Sequence, residues 1–82
     1  MIVKKLRSDL QKYLQRHNLV KKFAKQVWLF THNPKHPSLN TELLEPRHLK
    51  IYSFRIDRKY RAIFILVKVD EIEIIDVNDH YQ

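Results

Sequence analysis

The sequence predicts an α+β domain: an N-terminal helical hairpin packed on an antiparallel sheet of three to four strands. Two observations carry that reading, a change of apolar period along the chain and the shortness of the connections after it. Apolar residues recur every three or four positions up to Phe30, then alternate at a period of two from Leu49 onward, where β-branched and aromatic residues dominate. Helices first and strands after is the order of an α+β fold. With 82 residues there is room for one modest core, so residues 1–82 are read as a single domain.

Leu6, Leu10, Tyr13, Leu14 and His17 share one helical face, with Lys12, Gln15 and Arg16 on the wet side, in a helix starting near Arg7 or Ser8. After a break at His17 and Asn18 the pattern resumes with Val20, Phe23, Ala24, Val27 and Phe30, and Pro34 and Pro37 close it. The stretch THNPKHPSLNTELLEPR, residues 31–47, reads as a loop with Leu39, Leu43 and Leu44 tucked under. LKIYSFRI, YRAIFILVKV and EIEIIDVND are then three strands. The connections DRK, residues 57–59, and DE, residues 70–71, allow only antiparallel hairpins. Ile2 and Val3 offer a short edge strand.

Sixteen Lys and Arg against nine Asp and Glu give a net charge of +7, which favours a polyanionic or acidic partner through phosphate contacts and counterion release. The chain contains no Cys, which excludes disulfides, a thiolate nucleophile and zinc–thiolate sites. No apolar run reaches the roughly 18 residues of a membrane span, and the basic start MIVKKLRSDL lacks the apolar segment of a secretory signal. A cytoplasmic protein away from membranes, with no metal and no small-molecule cofactor, is expected.

Counting residues across the hairpins places charges on the sheet. A three-residue loop at residues 57–59 sets Arg55 opposite Arg61, and a two-residue turn at residues 70–71 sets Arg61 opposite His80. Like charges opposed on neighbouring strands destabilise a sheet, so such a row asks for an anion such as phosphate above it. Ser53, Asp76 and Asn78 share that face, together with Ile63, Ile65, Val67, Ile72 and Ile74. Tyr52, Phe54, Ile56, Tyr60, Ala62, Phe64 and Leu66 take the face beneath the helices. The same residues also read as solvated strand charges, with Asp76 neutralising one arginine and His80 a surface imidazole.

The segment YSFRIDRKYRAIF, with NPKHPSL before it and DHY at the end, resembles the RelE/ParE superfamily of toxins from toxin–antitoxin pairs, over residues 22–81. The order of motifs is the family's order; the opening strand is shorter and the usual turn glycines are missing. Within that superfamily the His-Tyr ending is similar to the YoeB-like, ribosome-dependent mRNA endonucleases. The resemblance implies Glu42 as catalytic base (with Glu45 the alternative), Arg61 as phosphate-binding arginine, His80 as general acid and Tyr81 as the terminal tyrosine. It implies that Arg55, Arg58, Lys59 and Lys50 contact RNA, that Lys21, Lys22, Lys25 and Lys35 help dock on ribosomal RNA, and that a cognate antitoxin, the ribosome and mRNA are the partners. RNA supplies its own nucleophile, the 2′-hydroxyl, so the implied cleavage needs a base, cations at phosphorus and an acid for the 5′-oxygen, and no metal. Histidine most readily gives and regains a proton near neutral pH. Two alternatives share the fold: a ParE-like DNA gyrase inhibitor, and a non-catalytic relic that binds an antitoxin or nucleic acid.

Overall fold

The first apolar stripe becomes α1 (Ser8–Arg16), which buries Leu10 and Leu14 in a computed structural model that describes residues 1–80. Arg7 donates to both carboxylate oxygens of Asp9 at 3.0 and 3.1 Å, and Asp9 lies in the first turn, where negative charge complements the helix dipole. With no glycine in the chain, α1 is closed by Asn18 in the left-handed region, φ 56°, while the Leu19 N–H bonds back to the Leu14 carbonyl at 2.8 Å. The second stripe becomes α2 (Val20–His32), which ends before Pro34 and buries Phe30 and a polar residue, Gln26.

Five strands follow the order β1-β5-β4-β3-β2 across one sheet. They are β1 (Ile2–Val3), β2 (Glu42–Leu43), β3 (Ile51–Arg55), β4 (Arg61–Lys68) and β5 (Glu71–Asn78). The meander β3-β4-β5 is antiparallel as expected, and Ile2 and Val3 do form an edge strand. Two features go beyond the expectation. β1 pairs with β5 in parallel, so the sheet is mixed, and a fifth strand, β2, lies inside the segment read as a loop. A two-residue strand carries too little pattern to be seen in sequence. Both edges are two residues long, which leaves little unpaired backbone to template aggregation. Short 3₁₀ helices at Pro37–Leu39 and Arg47–Leu49 flank β2, and Leu39 is fully buried.

The core lies between the helices and one face of the sheet. Phe30 of α2 stacks on Phe54 at 5.4 Å and meets Phe64 edge-on at 5.2 Å, and Leu39, Ile56, Ala62, Ile72, Ile74 and Val77 close around them. Leu66, expected on this buried face, is 53% exposed. It lies with Tyr52, Phe64 and Ile72 in an apolar depression at the end of α2, bordered by Phe30 and Pro34. No helix among the described residues is long and apolar enough to cross a membrane.

The two hairpins differ in how far they follow the count of residues. In the first, Arg55 pairs with Arg61 as expected. Asp57 builds that turn: its Oδ1 accepts the backbone N–H of Lys59 and of Tyr60, both at 2.8 Å, and its Oδ2 accepts from Lys22 at 3.2 Å. In the second, Lys68 pairs with Glu71, so the turn is at Val69 and Asp70, not at residues 70–71. Arg61 therefore faces Asn78, and the expected pairing with His80 does not form. The turn alone sets that pairing, because one bulge on each strand cancels the other; the bulges instead serve the core. Ile72, Ile74 and Val77 are all buried, a spacing that strict alternation cannot bury; Ile75 is left unpaired as a β-bulge, and Val67 bulges from β4. Ile72 and Ile74 thus join the helix-covered face instead of the arginine face.

Burial draws the Asp57 carboxyl upward, but the hydrogen bonds from Tyr60 and Lys59 and the Lys22 ammonium outweigh it and hold the group below its ordinary 3.8. A depressed folded-state value means that this stability is full above 3.8 and is lost as pH falls through the lower folded value. Asp57→Ala is expected to cost about 1 kcal/mol at pH 7, with the deficit shrinking in the acid range. Urea unfolding at pH 7 and pH 3 checks it.

Candidate functional site

On the face away from the helices, β2, β3 and β4 bring Glu42, Ser53 and Ile63 into one row, and β3, β4 and β5 bring Arg55, Arg61 and Asn78 into the next. Five of these side chains are polar or charged, on an interior sheet region where strands are usually apolar. The two arginines differ sharply. Arg61 is only 5% exposed, whereas Arg55 is exposed and forms no side-chain hydrogen bond or ion pair among the described residues.

A guanidinium this far from water must be hydrogen-bonded. Arg61 Nε donates to Ser53 Oγ at 2.9 Å, and one terminal nitrogen donates to the Asn40 carbonyl at 2.5 Å and more distantly to the Ser53 carbonyl at 3.5 Å. Burial lowers the guanidinium from its ordinary value, the Glu42 carboxylate opposes that, and Arg55 adds to it. Arginine remains charged throughout. The second terminal nitrogen takes no part in these bonds, so the group keeps donors for an anion beside Arg55.

The loop before β2 supplies the Asn40 carbonyl, and its local sequence explains its shape. His36 caps the 3₁₀ helix with Nδ1 accepting from the Ser38 N–H at 3.1 Å, Pro37 stands at its start, and Asn40 closes it in the left-handed region, φ 44°. Glu42 follows, exposed and paired with Ser53, on the same face as both arginines. Glu45 lies beyond β2, while Asp76 of β5 stands on the same face as Glu42, in the row Glu42, Ser53, Ile63, Asp76, and accepts from the Asn78 amide at 2.6 Å.

The remaining expected residues lie around this centre. Arg58 and Lys59 sit exposed on the β3–β4 turn, with the Lys59 ammonium 5.4 Å from the Tyr60 ring centroid. Lys50 is exposed and ends the second 3₁₀ helix in the left-handed region, φ 55°. His80 lies two residues beyond Asn78. Its backbone N–H donates to Asn78 Oδ1 at 3.1 Å, and its ring is exposed, 3.9 Å from Asp79. The row of Arg55, Arg61 and His80 therefore reduces to an arginine pair with Asn78 as its third member. Tyr81 lies outside the described residues. Counting strands placed Ser53 on this face without its role as acceptor and missed Asn40; together they seat Arg61. A carbonyl acceptor leaves no mark in sequence, although the Pro-Ser-Leu-Asn run does mark the turn that aims it.

No protein-family model matches the sequence, and no curated protein matches it. Solved structures do. A YoeB/ParE toxin from Agrobacterium tumefaciens shares 19% identity over 98% of this chain and 96% of that one, with a TM-score of 0.71. YafQ from Escherichia coli BL21(DE3) shares 15% over 96% and 90%, with a TM-score of 0.73. The Staphylococcus aureus YoeB–YefM toxin–antitoxin complex matches at 23% over 98% and 94%, with a TM-score of 0.68. The chain has the RelE-like toxin fold over nearly its whole length.

The contrast between the arginines is testable by stability. Arg61→Met leaves the Asn40 carbonyl and Ser53 hydroxyl unpaired and is expected to cost about 1–3 kcal/mol. Arg55→Met is expected to stay within about 0.5 kcal/mol of wild type. Urea unfolding of the two variants measures both.

Proposed function

We propose that this chain is the toxin of a toxin–antitoxin pair and that it cleaves mRNA on the translating ribosome. The observation that carries the reading is the Arg55–Arg61 pair beside Glu42, on a fold shared with the YoeB and YafQ toxins. Two opposed cations, one fixed by buried hydrogen bonds and one free, form a receptor for a phosphodiester.

In the proposed reaction Glu42 takes the proton of a ribose 2′-hydroxyl, and the oxygen attacks the adjacent phosphorus. Arg61 and Arg55 carry the charge that builds on the phosphoryl oxygens. The 5′-oxygen leaves with a proton, giving a 2′,3′-cyclic phosphate and a 5′-hydroxyl end. Arginine charge serves where a metal otherwise would. His80 supplies the leaving proton, which requires its ring to approach the arginine pair when RNA is bound; the role proposed for Tyr81 is to stack on a base or orient the phosphate. Asn78, opposite Arg61, supplies no acid: its Nδ2 donates to Asp76 and its Oδ1 accepts from the His80 N–H. Arg58, Lys59 and Lys50 hold the RNA backbone, and the basic helix surface positions the protein on ribosomal RNA.

The proposed partners are therefore mRNA, the ribosome and an antitoxin whose acidic or extended segment covers the arginine pair in the cytoplasm. The Staphylococcus aureus structure holds YoeB with YefM as a toxin–antitoxin complex. One observation favours the alternative of a gyrase poison or a binding-only relic: His80 stands out of the arginine row.

A translation extract supplied with a defined message tests the proposal. The expected outcome is cutting of translated but not naked RNA, reduced at least about 10²-fold by Glu42→Gln, Arg55→Ala or His80→Gln. Equal cutting by wild type and all three variants would overturn the residue roles. DNA cleavage with purified gyrase in place of RNA cutting would establish the alternative.

A further inference from the structure

Gln26 is a polar side chain in the middle of the inward face of α2, between Phe23 and Phe30, and only 6% of it is exposed. An amide there costs stability unless its hydrogen bonds are made. Its Nε2 donates to the Arg55 carbonyl at 2.7 Å and to the Ser38 carbonyl at 3.3 Å. Both partners are acceptors only, so the nitrogen end of the amide must face them, and the group uses its two protons on two separate segments.

Those segments are the ones the arginine pair depends on. Arg55 closes β3, and its carbonyl is the last of that strand before the Asp57 turn. Ser38 lies in the 3₁₀ helix whose next residue, Leu39, is buried and whose closing residue, Asn40, offers the carbonyl that seats Arg61. The helix is thus linked to the free arginine through one bond and to the seat of the buried arginine through the other.

We infer that Gln26 is a positioning residue: one amide nitrogen, shared between the Arg55 and Ser38 carbonyls, fixes the spacing of the two cations that hold the phosphate. The inference deepens the ribonuclease reading and rests on it for its catalytic consequence, though not for its structural one. Gln26 touches no substrate and acts through Arg55 and Asn40. Without it, the loop keeps Leu39 as an anchor but loses the tie that sets the Asn40 carbonyl against β3, and the Arg61 guanidinium is left to follow the loop.

Hydrogen exchange of the Arg61 Nε–H, read by NMR on the purified chain, is the direct test, alongside cleavage kinetics in the translation extract. Gln26→Met keeps the volume and removes the donor; Ile72→Val weakens the core elsewhere and serves as the control. Expected is Arg61 Nε–H exchange at least about tenfold faster in Gln26→Met than in Ile72→Val, once each is scaled to its own global unfolding. Cleavage by Gln26→Met is expected to fall on the order of tenfold or more, as for a sub-ångström displacement of a reacting group, and Gln26→Lys, which restores a donor, to recover part of it. Equal scaled exchange in Gln26→Met and the control would overturn the inference. Should Gln26→Met not fold, Arg61 exchange in Gln26→Lys decides: protection kept supports it, protection lost to the level of the unfolded chain overturns it. Faster exchange in Gln26→Met with no RNA cutting by wild type supports the positioning role and removes the ribonuclease reading.

Discussion

The rest of this structure depends on one buried charge. Arg61 stands in an interior strand, almost wholly removed from water, and a guanidinium in that position is tolerable only when its donors are taken up. Ser53 and the Asn40 carbonyl take up Nε and one terminal nitrogen, and in doing so they tie the loop after α2 down onto the sheet. That tie sits beside the place where Glu42 and Leu43 add a strand at the edge, and the strand brings Glu42 onto the arginine face. Arg55, directly opposite Arg61, is left as the exposed cation. A fixed charge and a free charge, side by side, result from one set of bonds.

The second constraint is the way β5 buries its apolar residues. Ile72, Ile74 and Val77 all reach the core, although they cannot do so in unbroken alternation, and the bulge at Ile75 absorbs the extra residue. The matching bulge at Val67 cancels that offset, so the Val69–Asp70 turn alone brings Asn78, and not His80, level with Arg61. The terminal histidine therefore emerges past the end of the sheet. In the proposed chemistry the acid therefore lies outside the arginine row, while Arg61 is held in it by buried hydrogen bonds.

Much of this was legible in the residues. The change of apolar period locates both helices and the three-strand meander, and the Asp57 turn sets the Arg55–Arg61 pairing, because a loop bounded by strong strands fixes register. The second turn was misplaced by one residue, since Val69 looks like a strand residue and only the burial of Ile72 and Ile74 shows that it is not. β2 was invisible, as any two-residue strand is, and so were the backbone acceptors of Arg61. Gln26 had no signal at all: a lone amide in an apolar helical stripe looks like a break in the pattern until the two carbonyls beside it are seen.

The most direct test of the arginine pair as a phosphodiester receptor is an NMR titration of the arginine Nε–H signals with a 2′-deoxy dinucleotide, which has the phosphodiester but no 2′-hydroxyl to attack with. Saturable shifts of both Arg55 and Arg61, abolished together by Arg55→Met and weakened by salt, are the predicted result. Shifts confined to lysines of the helices, with both arginine signals unmoved at saturation, would contradict it.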